Sequence, residues 1–260
     1  MSIMIENSIG ARLRNAERTA EPIAPFAVEL GTGNIAGAYR VQHANTEHAI
    51  ASGRVFRGRK IGLTARAVQE QLGVNEPDYG ALLVDMEIVN GGTLKLDELI
   101  SPRIEAEIGL VIARDIDHPG LSPLDLEAHV DHAVSALEIV DSRLKDWRIG
   151  ILDTIADNGA SARFVLGSKQ VPIRDVDLAR CRMQLMRNGE VVSTGIGKAT
   201  LGHPLKALAW LVDTLIDHGR PLRAGDLVLT GALGPVASLA SGDRFEATFE
   251  GLSPVAVNVL

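Results

Sequence analysis

The sequence predicts an α+β fold: a mixed β-roll or open-barrel core decorated by helices, with an N-terminal helical portion. Three observations point there. Helical spacing dominates the first third, strand-like runs dominate from about residue 80, and the two do not alternate regularly. Regular alternation would favour a doubly wound sheet or a TIM barrel. The expected organisation is a mainly helical portion over 1–78 and a β-roll domain over 79–260. No Ser/Gly/Pro-rich linker separates them.

Each element has a local reason. Ile9, Leu13 and Ala16 fall at helical spacing until Pro22 and Pro25 break the pattern. Asn34 can cap a helix through Tyr39, Val41 and Ala44 to about Ser52, with Gly53 stopping it. Thr64 can cap a short helix from Ala65 to Leu72, ended by Gly73. Candidate strands then run over Ala81 to Val89, Ile104 to Ala113, Ala136 to Asp141 and Ala162 to Leu166. A hairpin from Arg182 to Thr194 turns at Asn188-Gly189, the strongest short turn signal in the chain. Asp226 to Thr230, Phe245 to Phe249 and Val255 to Leu260 complete the strands. Two helices interrupt them. One starts at Ser122-Pro123, with serine as cap and proline in the first turn. The other runs from His203-Pro204 to His218 on an apolar stripe of Leu205, Leu208, Leu211, Val212 and Leu215, closed by Gly219.

Composition narrows the function classes. The chain has 260 residues, 46% hydrophobic and 23% charged, enough for a real core without staples. A net charge of −7 and only 3% aromatic residues argue against nucleic-acid binding. Cys181 is the single cysteine, which rules out an intrachain disulfide and a thiolate metal cluster. Glu6, Asn7, Arg12, Arg14, Glu17 and Arg18 interrupt the first twenty residues, unlike a secretory leader. No apolar stretch approaches the ~20 residues that span a bilayer. A cytoplasmic location and no membrane partner are expected.

The chemistry concentrates in Pro102-Arg103-Ile104-Glu105-Ala106-Glu107-Ile108. Side chains alternate along a strand, so Glu105 and Glu107 share one face while Ala106, Ile108, Leu110 and Ile112 take the other. Two carboxylates on one face repel each other, and a hard cation such as Mg²⁺ or Mn²⁺ removes that penalty. Glu138 adds a third inside the apolar run Val134 to Val140, where an unpaired carboxylate is costly. The competing reading is a solvated strand face with basic partners, and for Glu138 a salt bridge to Arg143 or Arg103.

Lys60 lies between Gly58 and Gly62, at a strand-to-helix junction where a lysine can meet a substrate carboxylate or shuttle a proton. The alternative is a surface lysine in a turn. Asp78, in Asn75-Glu76-Pro77-Asp78-Tyr79-Gly80, is either a general base or a turn residue. Asp157-Asn158-Gly159-Ala160-Ser161 reads as an Asx-type turn. Leu229-Thr230-Gly231-Ala232-Leu233-Gly234-Pro235 lacks the lysine and spacing of a P-loop, but the hydroxyl and amides can line a site. His43, His48, His118, His132, His203 and His218 show no metal-ligand spacing and are expected at the surface or as caps.

Taken in order, Arg59–Thr64, Glu76–Leu82, Pro102–Glu107, Ala136–Arg143, Ala156–Asn158, Leu201–Pro204 and Leu229–Pro235 resemble the hydratase/decarboxylase branch of the fumarylacetoacetate hydrolase superfamily, nearly end to end. The resemblance implies a β-roll core and a Mg²⁺ or Mn²⁺ on Glu105, Glu107 and Glu138. It also implies Lys60 and Asp78 as the acid/base pair. Leu82, Ser161 and Thr230 are the candidate substrate-binding residues. The implied reaction is hydration of 2-hydroxypenta-2,4-dienoate in meta-cleavage breakdown of aromatic compounds, on a small 2-hydroxydienoate or 2-keto acid substrate, by a homo-oligomer. The main alternative is a 4-oxalocrotonate-type decarboxylase, which typically carries an apolar residue in place of Asp78. The short passage from Arg143 to Asp153 favours the C5 substrate over longer dicarboxylates. One departure stands out: many members read Ala-Ser after Asp-Asn, where this chain has Gly159-Ala160-Ser161. Hydrolysis of an acylpyruvate would call for a histidine-activated water that the sequence does not offer. A non-enzymatic, partner-stabilising role is disfavoured by the retained carboxylates.

Overall fold

Local signals build the helical portion. A computed structural model describes residues 2–65, 69, 74 and 76–260. The helix Ser2–Thr19 buries Ile9, Leu13 and Ala16, the periodic positions. The Asn34 side chain accepts the Gly37 N–H at 3.0 Å and starts the helix Ile35–Ala51, with Gly53 just past its end at φ 95°. Apart from Ala65 and Gln69, the expected helix from Ala65 to Leu72 lies outside the described residues.

Fourteen strands follow among the described residues: β1 Phe56–Gly62, β2 Asp78–Leu83, β3 Glu87–Ile88, β4 Thr93–Leu94, β5 Arg103–Ile112, β6 Val130–Val140, β7 Ser161–Leu166, β8 Val171–Pro172, β9 Arg182–Arg187, β10 Glu190–Ile196, β11 Leu227–Ala232, β12 Ala237–Ser238, β13 Arg244–Phe249 and β14 Val255–Val259. The larger sheet has the order β2-β1-β11-β5-β6-β7-β3, with β12 beside β5 and β8 beside β6. It curls until Leu82 and Leu83 of β2 join Phe164 of β7 in one buried cluster. The smaller sheet has the order β10-β9-β13-β14-β4. Its hairpin turns at Asn188 (φ 53°) and Gly189 (φ 86°), the paired left-handed geometry that Asn-Gly favours.

Both interrupting helices form as expected. Ser122 caps Pro123–Glu127, and the His203 ring accepts the Leu205 N–H at 3.0 Å to start Pro204–Asp217. The latter buries Leu205, Leu208, Leu211, Val212 and Leu215, each worth roughly 1.5–3 kcal/mol. No described helix is long and apolar enough to cross a membrane.

Three expectations change. The run from Ala81 to Val89 is not one strand: a 3₁₀ turn at Val84–Met86 breaks it, and β3 then pairs in parallel with β7. β6 starts at Val130, ahead of Ala136, because β5 pairs with it out to Val130 and β8 flanks His132 and Ala133. Lys60 sits inside β1 and not in a turn. This Gly-, Arg- and Lys-rich segment becomes a strand because β2 and β11 flank it on both sides.

Candidate active site

Strand register brings the predicted charges together. Lys60 lies opposite Gly80 of β2 and Leu229 of β11, and Asp78 lies opposite Gly62. Glu105 lies opposite Glu138, and Glu107 opposite Ala136. Opposed residues share a face, so all five charged groups occupy the inner face of the curled sheet. Next to them on that face is an apolar layer that includes Leu82, Val134, Ala136, Phe164, Leu227 and Leu229. A side chain at Gly62 would collide with Asp78 Oδ1 and come within 3.1 Å of Lys60 Nζ. Glycine there is a condition for the charges to meet.

These groups are withdrawn from water. Lys60 is 3% exposed, Asp78 1%, and Glu107 and Glu138 0%, while Glu105 is half-buried. Glu105, Glu107 and Glu138 each offer an oxygen within 4.8 Å of the others. At an effective dielectric of about 20, each such pair of charges repels by roughly 3 kcal/mol. Lys60 Nζ stands 3.5 Å from Glu138 Oε2, an attraction of roughly 5 kcal/mol on the same scale. One ammonium does not offset three repulsions.

Burial therefore dominates the proton equilibria. It pushes Glu105 up to about 7, with Glu138 adding to the shift and Lys60 opposing it. It also raises Glu107, with the charges of Glu138 and Glu105 reinforcing burial. Asp78 is raised by burial against the pull of Lys60 and the Thr154 hydroxyl. For Lys60, burial acts to depress the ammonium, but Glu138, Asp78, Glu105 and Glu107 together raise it.

The hydrogen bonding is incomplete in a telling way. Glu107 Oε2 accepts the Gly231 N–H at 2.7 Å, and Asp78 Oδ2 accepts the Thr154 hydroxyl at 3.1 Å. Glu107 Oε1, both oxygens of Glu138 and Asp78 Oδ1 are buried without a hydrogen-bond partner among the described residues. Clustered, dehydrated carboxylate oxygens with unused lone pairs fit a hard divalent cation. The salt-bridge alternative for Glu138 named the wrong cations. Arg143 is bound to Asp157, and the Arg103 guanidinium lies 4.3 Å above the Trp147 ring.

The other candidates are placed differently. Leu82 belongs to the apolar layer. Thr230 is buried and its hydroxyl donates to the Ile108 carbonyl at 2.9 Å; its neighbour Gly231 is what reaches the carboxylates. Ser161 lines a cavity of about 870 Å³ together with Asn158, Asp157 and Arg143. None of the five charged groups is on that cavity's walls. Asp157 is not the acceptor of a surface turn: it is the buried partner of Arg143, at 2.6 Å. His43 and His218 are also not simply at the surface, since their rings meet the buried Tyr79 hydroxyl at 2.7 Å each.

Sequence reasoning missed Thr154, and it read Asn158-Gly159-Ala160 as a turn without the contacts that turn makes. Thr154 is 76 positions from Asp78, and no short-range pattern links them. All three turn residues have left-handed φ (58°, 59° and 56°), unusual for the alanine. The turn sets Gly159 against the Lys60 stem, where an added Cβ would lie 3.3 Å from Lys60 Cδ. The Asn158 amide exchanges two hydrogen bonds with the Ala81 backbone on the outer edge of β2. The Gly159 insertion in an otherwise familiar motif was the available signal.

Comparison with known proteins adds three findings. The family model described as fumarylacetoacetate (FAA) hydrolase C-terminal matches residues 65–260. Among curated relatives, the 2-keto-4-pentenoate hydratase 2 of Dechloromonas aromatica is 45% identical over 254 residues, spanning 98% of this chain and 97% of the relative. A 2-keto-4-pentenoate hydratase of Burkholderia vietnamiensis is 47% identical over 248 residues, spanning 95% of each. Among solved structures, 4-oxalocrotonate decarboxylase from Pseudomonas putida G7, complexed with magnesium and adipate, is similar with a TM-score of 0.96 and 31% identity, covering 100% of this chain and 98% of that one.

Proposed function

The chain belongs to the fumarylacetoacetate hydrolase family, and from that premise we propose that it is a hydro-lyase adding water to 2-hydroxypenta-2,4-dienoate to give 4-hydroxy-2-oxopentanoate. The relatives named as hydratases support the reaction class. The observation that carries the reading in this chain is Asp78: a buried carboxylate with one oxygen held by Thr154 and the other without a partner, on the same face as Lys60 and the three glutamates. Loss of carbon dioxide needs no water-activating base; hydration does.

Glu105, Glu107 and Glu138 would hold Mg²⁺ or Mn²⁺, which when bound supplies Lewis-acid polarisation of a 2-keto acid. Lys60, kept charged by four carboxylates, anchors the anionic end of the substrate and stabilises negative charge developing there. Leu82, Phe164 and Leu229 offer the hydrocarbon end an apolar wall with no charged partner, which suits a short monocarboxylate. The dienol takes up a proton at carbon 5 and becomes the 2-keto-3-enoate. Asp78 Oδ1 then holds the water that adds at carbon 4 and takes its proton, while carbon 3 gains one. Atoms balance as substrate plus one water.

The likeness to a decarboxylase with a TM-score of 0.96 favours one second reading, decarboxylation of 4-oxalocrotonate. Asp78→Asn separates the two. Under the hydratase reading it lowers turnover by ~10²-fold or more, the usual size of a general-base contribution, and leaves metal affinity nearly unchanged. Loss of dienol absorbance with product analysis measures hydration, and NMR in deuterated water follows proton exchange at carbon. Undiminished hydration by the variant, or faster turnover of 4-oxalocrotonate by the wild type, would overturn the assignment.

A further inference from the structure

We infer that Thr154 is a positioning residue for water addition: its hydroxyl locks the Asp78 carboxylate so that Oδ1 is the oxygen presented to the attacking water. The inference rests on the hydratase reading and assigns a role to a residue outside the cluster of charges.

The geometry is asymmetric. Asp78 Oδ2 accepts from Thr154 Oγ1 at 3.1 Å, while Oδ1 is buried with no partner among the described residues. A carboxylate has no proton to give, so the hydroxyl must donate. That donation favours the charged form of Asp78 and opposes the effect of burial.

Thr154 behaves unlike every other threonine in the described helices. Thr19, Thr46 and Thr214 each turn the hydroxyl back to the carbonyl four residues earlier, at 2.9, 3.0 and 2.8 Å. This is the default of a helical threonine. Thr154, on the short helix Ile151–Ala156, sends its hydroxyl across to β2. The helix is fixed for that purpose by its neighbour Asp153. The Asp153 carboxylate accepts from Gly150 N–H at 3.0 Å, Phe26 N–H at 2.9 Å and Ala27 N–H at 3.0 Å, tying the helix to the N-terminal portion. The hydroxyl thus arrives on a rigid support. The charged and titratable groups that face Asp78 are Lys60 from β1 and Tyr39 from the helix Ile35–Ala51. Neither reaches the free oxygen with a hydrogen bond among the described residues.

The test compares Thr154→Val, which keeps shape without the hydroxyl, with Thr154→Ser, which keeps the hydroxyl, both in Mg²⁺-loaded protein. The valine variant should lose about tenfold in kcat, the lower end for one hydrogen bond to a charged group, with KM nearly unchanged. The acid limb of its pH–rate profile should move to higher pH, and the Asp78 carboxyl carbon should titrate at higher pH by NMR. The serine variant should restore all three. A valine variant that hydrates with wild-type kcat and an unmoved acid limb overturns the inference while leaving the hydratase reading intact. Serine and valine variants that lose activity equally, with lowered Tm and an unmoved Asp78 titration, reduce Thr154 to packing. A wild-type protein that does not hydrate the dienol overturns the functional reading itself, and the NMR titration still decides whether Thr154 governs Asp78.

Discussion

Two buried contacts between a cation and a carboxylate are finished differently in this fold. Arg143 and Asp157 form a closed unit. Arg143 Nε meets Asp157 Oδ1 at 2.6 Å, and the Arg143 backbone N–H and Ser142 hydroxyl donate to Oδ2 at 2.9 and 3.1 Å. The guanidinium also bonds the carbonyls of Asp141, Ser161 and Asp157. Lys60 and Glu138 meet at 3.5 Å, and neither Glu138 oxygen has a hydrogen-bond partner among the described residues. Folding alone satisfies the first pair and leaves the second incomplete. A buried charge that the chain itself completes is scaffold; one that the chain leaves open is where something else belongs.

The largest expected effect tests the closed pair. Arg143→Met strands Asp157 in the interior and should cost about 3–5 kcal/mol in urea unfolding, by the same amount with and without Mg²⁺. A variant as stable as the wild type would show that the pair is not structural. The open cluster should respond in the opposite sense. Glu107→Gln removes one repelling charge, so the metal-free protein should keep or raise its Tm. The Mg²⁺-induced gain, about 2.7 kcal/mol for the wild type at a hundred times Kd, should vanish. If the variant unfolds while Mg²⁺ still stabilises it, Glu107 is a structural ion-pair member.

The smallest effect, on the order of a few degrees in Tm, separates the two regions by pH. Burial raises Asp157 from 3.8 to about 6, against the pull of Arg143, and raises Glu105 from 4.5 to about 7 with Glu138 adding. In both cases the folded protein retains protons that the unfolded chain has released. The stability contribution is therefore full below the ordinary value and lost as pH rises through the raised one. The metal-free Tm should fall from about pH 4 to 7. Mg²⁺ should abolish the Glu105 share, which includes all of the fall between about pH 6 and 7, and leave the Asp157 share, which is confined to the range below about pH 6. A slope insensitive to Mg²⁺ throughout would remove the distinction.

The open cluster was more legible in the sequence than the closed pair. Alternation along β5 put Glu105 and Glu107 on one face without any knowledge of the partner strands, and an apolar context flagged Glu138. Turn and cap signals at Asn34, Ser122, Asn188-Gly189 and His203 were equally local, and each formed as read. What stayed hidden depends on distant neighbours. β1 has poor strand character in Phe-Arg-Gly-Arg-Lys-Ile-Gly and exists because strands from residues 78–83 and 227–232 embrace it. Asp157 looked like a turn former until Arg143, 14 positions away, was seen folded against it. Thr154 carried no local mark at all.

Asn158 joins two tasks that are usually separate. Its side-chain amide stands in for a missing neighbour strand along the edge of β2, and its left-handed backbone opens the turn that sets Gly159 on the Lys60 stem. An unprotected sheet edge is a template for pairing with other chains. In this fold, one residue both blunts that hazard and helps hold Lys60 in place. Solubility and chemistry are thereby under a common constraint, so a sequence drifting at this position risks both at once.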